Sequence, residues 1–199
     1  MKFHTLALSA ALALGLPTLA SAQSFECISS NTTCTTAVGL VSWSLTGSVL
    51  KISNSSGAGN GSFIRNIYFD YTSGMGVSLL GKVGTVTFSS GGSPANLPGG
   101  NAPSAHFAAD ASWSAMNPGS TYGVNAGESI SFTLTGVSLA SFTNGSMRVG
   151  LHLQGLPGGA SDSLISTVTA VPEPESYVLL LAGLGLVGAI ARRRQQKNS

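Results

Sequence analysis

Charge is scarce in this chain. Over 199 residues Lys and Arg number 9 and Asp and Glu 7, together 8% of the sequence. Without a basic stripe to neutralise phosphates, nucleic-acid binding is excluded. Two cysteines are too few for a disulfide-dense scaffold, and neither His106 nor His152 lies near them in sequence as a Cys/His metal centre would favour. Sequence signatures of catalysis are missing as well. No Gly-x-Ser-x-Gly elbow presents a nucleophile, and no Asp-x-Asp-x-Asp run points to calcium. The glycine cluster from Gly57 to Gly61 lacks the lysine and the following amphipathic helix of a phosphate-binding loop, so it reads as a flexible loop. No internal repeat of solenoid type is visible.

What is present lies first at the two ends. Lys2 gives a positive start, Leu6 to Leu16 make an eleven-residue apolar core, and Ala20-Ser21-Ala22 is a small-residue cleavage site that would leave Gln23 first. Residues 1–22 thus read as a signal peptide. At the other end Val171-Pro172-Glu173-Pro174 precedes an apolar run from Tyr177 to Ala191, closed by Arg192, Arg193 and Arg194. The prolines block helix and strand pairing, the run is a helix suited to lipid, and the arginines hold its end in the cytoplasm. Fifteen residues at about 1.5 Å each span only ~22 Å of the ~30 Å hydrocarbon layer, too little for a comfortable permanent anchor.

The order of these parts, down to Leu181-Ala182-Gly183-Leu184-Gly185-Leu186, resembles the PEP-CTERM sorting tail of Gram-negative surface proteins. That resemblance covers residues 171–199. It implies a membrane transpeptidase of the exosortase type that recognises Val171, Pro172, Glu173 and Pro174. The transpeptidase would separate the tail, with its Arg192, Arg193 and Arg194 anchor, from the exported domain. The expected itinerary is export by the signal peptide, an inner-membrane intermediate, then the cell surface or extracellular matrix.

Between the targeting segments lies an exported domain of residues 23–170, the size of one domain with its own core. It is nearly neutral, with Lys51, Arg65, Lys82 and Arg148 against Glu26, Asp70, Asp110, Glu128 and Asp162. Glycine, serine, threonine, asparagine, alanine and valine dominate it, a composition of strands and turns. Cys27 and Cys34 pass through an oxidising compartment, so a disulfide between them is expected, worth roughly 2.5 kcal/mol for so short a loop.

Strands are expected at Leu40 to Leu45 and Val49 to Ser53, a hairpin around Thr46-Gly47, and at Phe63 to Tyr71, Val77 to Leu80 and Lys82 to Phe88. A Gly/Pro-rich connection runs from Ser89 to Pro103, and Ser104 to Met116 reads equally as a helical turn or an irregular strand. Ile130, Phe132 and Leu134 alternate with hydroxylated residues. Met147, Val149, Leu151 and Leu153 do likewise with Arg148, Gly150, His152 and Gln154. Asn144-Gly145 between them suggests that these two segments pair. A last strand follows from Leu164 to Thr169. The fold expected is an all-β antiparallel sandwich, jelly-roll-like.

His152 falls on an outward face and reads as a plain surface residue. A Ser-His-Asp set drawn from His152, Asp162 and one of many serines arises by chance in so serine-rich a chain. A glycosidase pair would have to come from Asp70, Asp110, Glu128 and Asp162, and a calcium loop from Asp110 or Asp162, but nothing in the sequence brings two of them together. Asn31, Asn54, Asn60 and Asn144 begin Asn-x-Ser/Thr sequons but read first as turn residues. Trp43, Tyr68, Tyr71, Trp113 and Tyr122 are expected in the core; an exposed planar row of them would instead mark a sugar-binding face. The expectation is therefore a non-catalytic surface or matrix protein near extracellular polysaccharide, without cofactor or metal. A carbohydrate-binding module is the alternative and an extracellular hydrolase the more distant one.

Overall fold

The computed structural model describes residues 20–28, 32–57, 59–102, 104–171, 182–188 and 195–196. The chain divides into two units, Ala22–Thr169 and a second made of Met1–Ser21 with Ala170–Ser199. The expected signal-peptide core, Pro172 to Pro174 and Arg192 to Arg194 lie outside the described residues.

The elements run β1 (Ala20–Cys27), α1 (Cys34–Leu40), β2 (Val41–Thr46), β3 (Val49–Asn54), β4 (Phe63–Tyr71), β5 (Gly76–Val83), β6 (Phe88–Ser90) and β7 (Ala111–Ala115). Then come α2 (Gly119–Tyr122), β8 (Ser129–Thr135), α3 (Leu139–Thr143), β9 (Met147–Leu156) and β10 (Ala160–Val171), with a 3₁₀ turn at Pro157–Gly159. One sheet has the order β1-β10-β9-β4-β7-β6, the other β2-β3-β8-β5. The strand pairs with a described register are antiparallel.

Period-two burial places the core between the sheets. Ile130, Phe132 and Leu134 on β8 and Leu50 and Ile52 on β3 meet Ile67 and Phe69 on β4 and Val149, Leu151 and Leu153 on β9. Phe132 makes edge contacts across the gap with Phe69 and Trp113, at 4.9 and 5.0 Å between ring centres. At one side of the core Trp43 Nε1 donates to Ser24 O at 2.8 Å and Leu45 N to Gln23 Oε1 at 3.1 Å, which ties β1 to β2.

The expected hairpin forms with Thr46 opposite Val49, leaving Gly47-Ser48 as a two-residue turn. Three expectations are corrected. The segments 77–80 and 82–88 do not make two strands. A bulge between Leu79 and Gly81 carries one strand, β5, through the glycine, and the chain then crosses to the other sheet before Phe88. In the ambiguous stretch 104–116 only Ala111–Ala115 is strand. The third correction separates β8 from β9, which lie in different sheets. Asn144-Gly145 is no hairpin turn: Ser138 and Ser141 form a capping box at the start of α3, Asn144 ends that helix, and Phe142 packs on Trp43 at 4.5 Å. Alternation reveals that a strand has a core face, not which sheet carries it.

Candidate functional site

On the outer face of the six-stranded sheet, β4 presents Asn66, Tyr68 and Asp70, and β9 presents Arg148, Gly150 and His152, paired as Asn66 with His152, Tyr68 with Gly150 and Asp70 with Arg148. Residues 91–102 and 104–110 lie over part of this face as a strap. Its Leu97, Ala105 and Phe107 close with Tyr68 and Ile165 into a second small core. Gly150 makes that approach feasible, since a Cβ there would stand 2.8 Å from Leu97 Cδ2 and 3.0 Å from Phe107 Cζ.

Arg148 clamps the strap. It ion-pairs with Asp70, donates to the carbonyls of Ala105 and His106, and stands 5.4 Å from the centre of the Phe107 ring. Asp70 also accepts from Ala108 N, and Asn96 donates to Phe107 O while accepting from Ala109 N. Tyr68 donates to Pro94 O at 3.0 Å, and burial pushes its phenol up to about 12 against the lowering effect of Arg65.

Beyond the strap sits His152. It is no plain surface residue: its Nδ1 is buried without a partner among the described residues, and so is Oδ1 of the opposing Asn66. Burial, reinforced by the Arg65 charge and opposed by Asp162, holds the imidazole below its ordinary pKa. The outward assignment was right and the exposure was not, because β9 is flanked by β4 and β10.

Of the Ser-His-Asp set, Asp162 acts on His152 through its charge, while His152 Nδ1 has no partner among the described residues. Asp162 pairs with Leu153, the core-facing neighbour of His152, and accepts a hydrogen bond from Thr33 Oγ1. Asp110 accepts from Tyr71 N at 2.8 Å. Glu128 accepts from Thr85 N, Thr85 Oγ1 and Asn125 N; partial burial would raise its pKa, but these donors outweigh burial and lower it. The space Glu128 fills is left by Gly84, where a Cβ would fall 2.2 Å from its Oε1. All four carboxylates weighed for catalysis or calcium thus hold backbone or side-chain donors of the fold.

A cleft of about 440 Å³ lies beside the glycine loop, lined by Thr36, Leu40, Asn60, Ser62, Gly155 and Pro157 among others. Asn60 braces that loop, donating to Asn54 Oδ1 and Ser55 O and accepting from Ser62 N and Ser62 Oγ. Buried Asn54 donates to Ser62 O and Val124 O. The amides of these two sequons are therefore structural, as turn residues should be. Asn144 accepts from Ser146 N in an Asx turn, and Asn31 lies outside the described residues.

Trp43, Tyr68 and Trp113 are buried and Tyr71 and Tyr122 half-buried, so these five form no exposed aromatic row. Cys27 and Cys34 form the expected disulfide, with Cα atoms 6.0 Å apart. Sequence reading missed the strap, whose Arg148–Asp70 pair joins residues 78 positions apart.

β10 ends at Val171, one residue before Pro172, which has no N–H to continue the ladder. Within the expected apolar helix, residues 182–188 are helical, with Leu184, Leu186 and Val187 exposed; no helix among the described residues is long and apolar enough to cross a membrane. Residues 170–195 match the family model of the PEP-CTERM protein-sorting motif, in agreement with the resemblance seen in the sequence. A search of curated proteins and a search of solved structures return no match.

Proposed function

From a chain whose C-terminus carries the PEP-CTERM protein-sorting motif, we infer an exported protein of a Gram-negative bacterium, cut by an exosortase at the inner membrane. The domain so released is a non-catalytic component of the cell surface or extracellular matrix, in contact with extracellular polysaccharide. The observation that carries this reading is one of boundaries. The sorting match starts at residue 170, and the folded unit stops at Thr169. The match overlaps only the last two residues of β10, and the buried residues of the inter-sheet core end at Leu164, so loss of the tail leaves the core closed. Carboxylates engaged in holding the fold, and an aromatic set that is buried or half-buried, favour a binding or structural role over hydrolysis.

Replacing Pro172, Glu173 and Pro174 together with alanine tests the itinerary. Wild-type material recovered from the cell exterior is expected to have lost the mass of the tail, and the triple variant to remain uncut at the inner membrane. Identical mass and location for both would refute the processing step.

A further inference from the structure

The two sheets differ in what covers their outer faces. The strap lies over the six-stranded sheet, whereas Ser42, Ser44 and Lys51 on the outer face of β2-β3-β8-β5 are exposed and Ser129, at one end of that face, is buried. Register lays that face out in rows. Ser44, Lys51 and Ser131 stand side by side on β2, β3 and β8; the adjoining row on one side begins Ser42 and Ser53, and Thr133 lies in the row on the other. Rows repeat roughly every 6.8 Å along a strand and strands about 4.8 Å apart, so the side chains form a regular, mostly hydroxylated array with half-exposed Val49 beside Thr133. Ser42, Ser44 and Lys51 are exposed and the other three half-exposed. None of the six has a side-chain hydrogen bond or ion pair among the described residues. The hydroxyls of the other face are used instead: Ser114 accepts from Asn66, Ser166 from Val149 N, and Thr167 bonds to Ser24.

Charge is segregated in the same way. Strands β2, β3, β5 and β8 contain Lys51 and Lys82 and no carboxylate, whereas Glu26, Asp70 and Asp162 lie with Arg65 and Arg148 on strands of the other sheet. Lys82 is engaged with Thr87. Lys51 is left as a lone cation at the centre of a field of donors and acceptors.

We propose that the outer face of the four-stranded sheet is a docking surface for an anionic polysaccharide, with Lys51 facing its carboxylates and the surrounding serine and threonine hydroxyls meeting its own hydroxyls. The proposal rests on the matrix reading above and names the surface and the ligand chemistry. A lipid surface suits these rows poorly because the exposed Leu79, Leu80 and Val83 stand on the edge strand β5, with β8 between them and Lys51. Single-stranded nucleic acid would need stacking platforms that are absent from it.

The test uses the full-length chain in detergent, passed over beads bearing polygalacturonate or dextran, with phosphatidylglycerol vesicles as a charged control. Wild type is expected to be retained on polygalacturonate at about 50 mM salt, weakly on dextran, and released near 500 mM as the Lys51 attraction is screened. Lys51→Glu is expected to weaken retention on the order of tenfold, with Lys51→Gln intermediate. Lys51→Arg, and Gln154→Glu on the opposite sheet, should match wild type. Equal melting temperatures across the set establish that each variant is folded. Retention unchanged in Lys51→Glu, or weakened equally in Gln154→Glu, would overturn the assignment of the face while leaving the matrix reading intact. Capture by vesicles as strong as by polygalacturonate would overturn it too, because charge alone would then suffice. Wild type that binds neither polysaccharide ends both this proposal and the polysaccharide part of the reading it rests on, while tail processing is judged by its own experiment.

Discussion

At the scale of single residues, His152 shows how position in a sheet sets chemistry. Its sequence context places it outward between Leu151 and Leu153, and the flanking strands then bury Nδ1 opposite Asn66. Because burial and Arg65 disfavour the imidazolium, the unfolded chain binds a proton more readily than the folded one. Stability from this residue is complete above the ordinary value of 6.5 and declines as pH falls below it toward the lower folded pKa. Denaturant midpoints measured from pH 7.5 to 5 should therefore fall in wild type and flatten in His152→Gln; parallel curves would show that the histidine titrates freely. Glu128 acts in a lower window. Its depressed pKa gives stability that is present above the ordinary 4.5 and lost as pH drops through the folded value.

At the scale of elements, the strap and the sheet beneath it depend on each other. Gly150→Ala puts a methyl into the space of Leu97 and Phe107, which must shift or lift. The expected cost is about 1–3 kcal/mol, the usual range for overpacking a close contact. Hydrogen exchange should accelerate in 91–110 and stay slow in β3, β4, β8 and β9; uniform acceleration would mean that the strap is no separate element. Nothing local in the Ser89 to Pro103 sequence announced this arrangement. Its glycines and prolines read as a connection, and the partners that order it, Tyr68, Asp70 and Arg148, are remote along the chain. The hairpin β2–β3 was legible for the opposite reason, because turn and partners adjoin in sequence.

At the scale of the whole molecule, core and address are separate pieces of physics. Among the described residues, every buried member of the inter-sheet core lies between Phe25 and Leu164, inside the folded unit Ala22–Thr169. The alanine variant of Pro172, Glu173 and Pro174 should therefore unfold at the same denaturant concentration as wild type even though its processing fails. A shifted midpoint would show that the tail contributes to the fold. The Cys27–Cys34 disulfide belongs to the body by the same criterion, since it links β1 to the start of α1.

The sorting tail and the strands β2, β3, β4, β8 and β9 were legible in the sequence alone, because prolines, an apolar run, terminal arginines and period-two alternation act through neighbours a few residues away. The sheet to which each strand belongs was not. β8 and β9 carry the same alternation and pair with different partners, and only the crossing through α3 separates them. Which outer face is covered and which left bare is likewise a tertiary outcome. It turns on the missing side chain at Gly150 and on a clamp from Arg148 to Asp70, contacts whose energy exists only once distant segments have been brought together.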